Sequence, residues 1–163
     1  MKKILIISDY SQKVGTGHYN RCSILAKKLS SSFKVDLVSS NKIYNLKTLE
    51  KITYFYIKNI TDLRKINNFT SKHKYSFVII DTYKVKSKLI KNINISKKNI
   101  FCFDDFCTKK ITTNLINQNP YFKKTDYIKN KYKIYAGEKY TLINQNYKKR
   151  KVTFSKFNFL ISC

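Results

Sequence analysis

Two glycines, a histidine and an arginine stand close together in Gly15-Thr16-Gly17-His18-Tyr19-Asn20-Arg21, and two of the chain's three glycines are spent there. Glycine lets a backbone turn sharply or approach a ligand closely, so this loop reads as one built around a ligand. His18 is the residue in it that can move a proton. Placed at a helix start, where free N–H groups and the positive end of the dipole disfavour the imidazolium, it would be a neutral ring able to take a proton from water or a hydroxyl. The alternative is a histidine that only caps the helix or packs at the surface. The dinucleotide fingerprint is not met, since the position of its third glycine is Asn20. The Gly-Lys-Ser/Thr ending of a phosphate loop is absent as well. Further along, Asp81, Tyr83, Asp104, Asp105 and Asn117 carry the other groups that could meet a polar ligand.

The elements that must position these residues follow from the pattern. Ile4-Leu5-Ile6-Ile7 is an apolar strand before the glycine loop, and Cys22, Leu25, Ala26 and Leu29 recur at the spacing of one buried helix face. Phe33 to Val38 alternates apolar and polar residues, which predicts a second strand with one face buried. Strand, helix, strand is the right-handed crossover unit and calls for a parallel sheet. Residues 41–51 read as a short connection, Ile52 to Ile57 as a third strand, and Asp62 to Lys72 as a helix with Leu63, Ile66 and Phe69 inward and Thr61 as its cap. Tyr75 to Asp81 and Ile100 to Asp104 are strands that each end in acid, and a helix over Val85 to Ile93 lies between them. Ligands of open parallel sheets sit beyond the carboxyl ends of the strands, which puts Asp81, Tyr83, Asp104 and Asp105 on the rim where His18 stands. Asp81 has a second reading, as the cap of the following helix. Thr112 to Asn117 and Tyr132 to Ala136 are further strands; Asn117 leads a turn, its amide directed either to a polar ligand or to the turn backbone.

The chain has 163 residues, enough for one domain with a real core and too few for two ordinary ones. Lys and Arg number 34 against 9 acidic residues, a formal charge of +25. Spread along the whole chain with only short clusters such as Lys148-Lys149-Arg150-Lys151, these lysines read as a solvated surface that still favours an anionic ligand, not as a nucleic-acid or membrane footprint. Cys22, Cys102, Cys107 and Cys163 form no C-x-x-C pair, and His73 stands alone between lysines, so neither zinc nor a disulfide framework is called for. The apolar amino terminus is cut short by Ser8 and Asp9, unlike a signal peptide, and no stretch approaches the ~18 apolar residues of a membrane helix. These features predict a cytoplasmic protein without metal or cofactor.

Gly15-Thr16-Gly17-His18-x-x-Arg21-Cys22-x-x-Leu25-Ala26 resembles the amino-terminal signature of the UDP-sugar hydrolases of pseudaminic acid biosynthesis. Asp81-Thr82-Tyr83, Asp104-Asp105, Asn117-Gln118-Asn119 and Gly137-x-x-Tyr140-x-Leu142 follow in the order that family shows. The arginine and glutamate that the family carries after this tyrosine are replaced here, where the chain reads Leu142-Ile143-Asn144-Gln145-Asn146-Tyr147. The resemblance implies an α/β chain with a Rossmann-like parallel sheet and flanking helices, the amino-terminal half of the two-domain GT-B architecture. Residues 1–150 would form this domain, and residues 151–163 a linker and the first strand, Asn158 to Cys163, of a carboxy-terminal domain that holds the nucleotide. It further implies metal-independent, inverting hydrolysis of a UDP-linked diacetamido-trideoxy sugar. His18 would be the catalytic residue, with Gly15, Thr16, Gly17, Arg21, Asp81, Tyr83, Asp104 and Asn117 at the substrate; Arg21 would orient the loop or meet a phosphate. A separate carboxy-terminal domain is the partner this implies. The alternatives are a GT-B glycosyltransferase half and a non-catalytic remnant that binds a sugar or a partner protein.

Overall fold

Lys3–Ser8 forms the first strand, β1, and all but its first residue is buried. A strand covered on both faces reads as a continuous apolar run, which is why Ile4 to Ile7 does not alternate. The computed structural model describes residues 1–10, 15–40, 51–84, 87–106, 113–123, 125, 127 and 133–142. After β1 come α1 (Gly17–Leu29), β2 (Lys34–Ser39), β3 (Ile52–Tyr56), α2 (Leu63–Lys72), β4 (Tyr75–Asp81), α3 (Ser87–Asn92), β5 (Ile100–Phe103), β6 (Asn114–Asn117) and β7 (Ile134–Ala136). The expected connection over 41–50, residues 85 and 86 at the expected start of α3, the Leu63 side chain, the Lys148 cluster, Cys107, Cys163 and the expected strand at 158–163 lie outside the described residues.

All seven strands pair in parallel, in the order β3-β2-β1-β4-β5-β6-β7. This is a Rossmann-like α/β sheet with helices on both faces. On one face Ile4, Ile6, Val35, Leu37 and Phe103 pack with Cys22 and Ala26 of α1. On the other, Leu5, Ile7, Val38, Val78 and Ile80 pack with Ile66 of α2 and Ile90 of α3. The chain order reverses between β1 and β4, the switch point beyond whose carboxyl ends such sheets take their ligands.

Two expectations are corrected. β2 was to bury one face, yet everything after its first residue is buried, Asp36 included at 1% exposure. Asp36 is tolerated because Oδ2 accepts from the Tyr75 hydroxyl at 2.5 Å and pairs with Lys3 Nζ at 2.7 Å, so its charge is paired inside the core while Oδ1 is buried without a hydrogen-bond partner. The cap of α2 is Asp62, not Thr61: Asp62 Oδ1 accepts from the backbone N–H of Arg64 at 3.1 Å and of Lys65 at 3.4 Å. Thr61 is turned away, its N–H and hydroxyl both donating to Asn59 Oδ1.

Candidate active site

Gly15 has φ +82°, a conformation that L side chains rarely adopt, so the loop before α1 needs a glycine there. Gly17 opens α1, and a Cβ on it would meet nothing within 4 Å. Thr16, between them, is the helix N-cap but makes no capping side-chain hydrogen bond; its hydroxyl accepts from Asn20 Nδ2 instead. Gly15, Thr16 and Gly17 are exposed, and beside them His18 turns inward at 5% exposure.

His18 Nδ1 lies 2.6 Å from Oδ1 of Asp81, the last residue of β4, whose side chain is fully buried. An ionised carboxylate only accepts, so Nδ1 carries the proton and donates it to Asp81. Arg21 Nη2 also stands 3.3 Å from Nδ1, but a guanidinium only donates; the two contacts cannot both be hydrogen bonds, and the shorter one decides the tautomer. Nε2 is left as the proton acceptor of the ring. Tyr83 packs its ring at 79° to the imidazole with centroids 4.4 Å apart, and Phe106 lies 5.5 Å beyond Tyr83. Both aromatic rings are more than half exposed.

Arg21, one turn on from His18, carries the heart of the electrostatics. Its Nε donates to Asp81 Oδ2 at 2.5 Å and its Nη2 to Oδ1 at 2.6 Å. The other edge of the fork donates to Asp105, Nη1 to Oδ1 at 2.7 Å and Nη2 to Oδ2 at 2.9 Å. The guanidinium carbon rests 4.4 Å over the Phe103 ring. Burial works to raise the Asp81 carboxyl, but the hydrogen bonds and charges of Arg21 and His18 outweigh it and hold Asp81 below the ordinary carboxylate value. Burial likewise works against the Arg21 cation, and Asp81 and Asp105 more than offset it. Cys22 donates its thiol to Asp81 Oδ2 at 3.5 Å; burial, then the Asp81 charge, push this thiol well up and leave it unreactive.

The alternative role of Asp81 as a helix cap does not hold, since its carboxylate is given to His18, Arg21 and Cys22. Asp104 and Asp105 part company. Asp105 faces Arg21, whereas Asp104 is buried, its backbone N–H bonded to Ile116 O and its carbonyl accepting from the Tyr127 hydroxyl. Asn117 is buried too: its Nδ2 donates to Tyr127 and its Oδ1 accepts from the Asn119 N–H, so the amide serves the turn. His18, Arg21, Asp81 and Tyr83 therefore gather at one place, and Asp104 and Asn117 stand behind it as supports.

No protein-family model matches the chain. The chain is similar to a UDP-sugar hydrolase. It is 29% identical over 152 residues to the UDP-2,4-diacetamido-2,4,6-trideoxy-beta-L-altropyranose hydrolase of Campylobacter jejuni, with 89% of this chain and 53% of that protein covered. The chain thus spans about half the length of the curated relative it matches.

The sequence reading did not single out Asp9, and it placed Asp105 on the rim without separating it from Asp104. Asp9, just past β1, is buried and accepts from Ser40 at 2.7 Å and Thr82 at 3.2 Å, with Lys84 Nζ at 3.0 Å. Its N–H bonds the Asp81 carbonyl, which joins the ends of β1 and β4 beneath His18. The signal for Asp9 was a third strand end marked by acid, and it was read only as the stop of an apolar run. Among the described residues no helix is long and apolar enough to cross a membrane, and no three His, Cys, Asp or Glu side chains are grouped to hold a metal ion.

Proposed function

We propose that this chain supplies the base-bearing half of a UDP-sugar hydrolase acting on a diacetamido-trideoxy sugar. The observation that carries the reading is the His18–Asp81 pair, with Nδ1–H held at 2.6 Å by a buried carboxylate and Nε2 left as the proton acceptor of the ring. The similarity to a protein named for that hydrolysis supports the substrate class. The GT-B half-fold and a nucleotide held by a second half belong to the same proposal, which the partial coverage of the relative favours.

Water stands at Nε2. As its oxygen forms a bond to the anomeric carbon, its proton passes to Nε2 and the bond from that carbon to the UDP oxygen breaks, the electron pair leaving with the β-phosphate. Asp81 stays ionised and stabilises the imidazolium that develops. Attack on one face with departure from the other inverts the anomeric centre. Gly15 and Gly17 leave room for the sugar, and Tyr83 offers an aromatic wall beside the imidazole.

The test is release of UDP from the UDP-sugar by the chain combined with a polypeptide that supplies the other half of the relative. His18→Asn is expected to cost about 10²–10⁴-fold in rate, the usual worth of a general base, at an unchanged melting temperature. Full activity in a folded His18→Asn variant overturns the role of His18. Transfer of the sugar to an acceptor in place of water would instead identify a glycosyltransferase half.

A further inference from the structure

The carboxylate that serves His18 is shared with a cation. Arg21 meets both oxygens of Asp81, at 2.5 and 2.6 Å, within a site where Asp81 is fully buried. A guanidinium so placed, with nothing else on it, would cancel the Asp81 charge at the imidazole and weaken the ring as a base. Arg21 is not left so. Asp105, from the segment after β5, closes a second two-bond pair on the opposite edge of the fork, at 2.7 and 2.9 Å. Two carboxylates and one guanidinium leave a net negative charge next to His18.

We propose that Asp105 is a positioning residue: by occupying Arg21 it preserves the negative field of Asp81 and so sustains the proton affinity of His18. The role rests on His18 acting as the base of the proposed hydrolysis. The groups facing His18 are Arg21 from α1, Asp81 from the end of β4, and the Tyr83 ring just after it. The Cys22 thiol touches the same Asp81 carboxylate, and it is held in its neutral form by burial and by that charge. Asp9 and Lys84 form their own ion pair one hydrogen bond further away, across the link from the Asp9 N–H to the Asp81 carbonyl. Asp105 touches none of the His18 ring atoms and reaches it through Arg21, while its carboxylate also accepts a hydrogen bond from Tyr83. The Asp105 side chain is 22% exposed, which leaves it open to a neutral substitution.

The experiment is an NMR titration of the imidazole nitrogens in the full 163-residue chain. The only other histidine, His73, caps the carboxyl end of α2 and serves as the internal control. Asp105→Asn is expected to lower the His18 midpoint by about one pH unit, the effect of losing one nearby charge at intermediate dielectric. Asp105→Glu, which restores the charge, should bring the midpoint back towards that of the native chain. Arg21→Gln is expected to move it the other way, upward, because the cation is then gone. His73 should hold its midpoint throughout. Unfolding would carry both variants towards one common value, so the opposite signs are the signature of the proposal. An unmoved His18 midpoint in folded Asp105→Asn, or a downward shift in Arg21→Gln, overturns it. Should Asp105→Asn not fold, the sign of the Arg21→Gln shift decides. The titration uses no substrate, so its failure leaves the hydrolysis test standing, and failure of hydrolysis leaves the titration standing.

Discussion

Asp9 and Asp81 are both buried carboxylates, and partners that differ in kind keep each of them ionised. For Asp9, burial works to raise the carboxyl, and hydrogen bonds from Ser40, Lys84 and Thr82 with the Lys84 charge outweigh it. A carboxyl lowered in the folded state contributes stability that is fully present above its unfolded value, near 4, and is lost as the pH falls through the folded one. Asp9→Asn removes the charge and keeps the shape. It should cost about 1.5–3 kcal/mol at pH 7, the scale of hydrogen bonds to a charged group, and the gap to the native chain should narrow as the pH falls from 5 towards 3. Urea midpoints of both proteins at each pH measure it; a gap of the same size throughout would show that Asp9 acts through packing alone. His18 was legible in the sequence because two glycines precede it and a helix pattern follows. Asp105 was not: adjacent aspartates look alike until a fold points one at Arg21 and buries the other.

The helices and strands place these residues through ordinary local chemistry. α2 shows how close alternatives are settled. Thr61 and Asp62 both have capping side chains, and Asn59, two residues earlier, takes the N–H and hydroxyl of Thr61, leaving Asp62 to cover the first turn. Asp62→Ala should therefore lower stability by about 1 kcal/mol, and Thr61→Ala by clearly less, in denaturant unfolding followed by helical signal. Equal losses would mean that the cap is shared. The strand, helix, strand order and the apolar runs made the parallel sheet readable beforehand. The burial of β2 on both faces was not readable, because the alternation of Asp36 with Val35 and Leu37 is also that of a half-exposed strand. Only the arrival of Tyr75 and Lys3 from β4 and β1 makes a buried aspartate acceptable there.

At the scale of the molecule, the sheet brings the ends of β1, β4 and β5 side by side, and with them Asp9, Asp81 and Asp105. On the proposed reading that convergence is the rim that meets the sugar and carries proton transfer at Nε2. On the proposed reading the nucleotide belongs to the part of the relative that this chain does not span, 53% of that protein being covered. The +25 charge draws any anion near, but attraction at a solvated surface is weak and screened by salt. The chain by itself is therefore expected to bind UDP no tighter than about 1 mM, some 4 kcal/mol, at physiological ionic strength. The weak binding that remains should fade as salt is raised. Calorimetry with UDP, first on the chain alone and then with the other half of the relative added, separates the two contributions. A one-to-one complex near 10 μM or tighter with the chain alone, holding at high salt, would place the nucleotide on this half, and Arg21 and the loop of Gly15 and Gly17 would then be the first residues to test as its contacts.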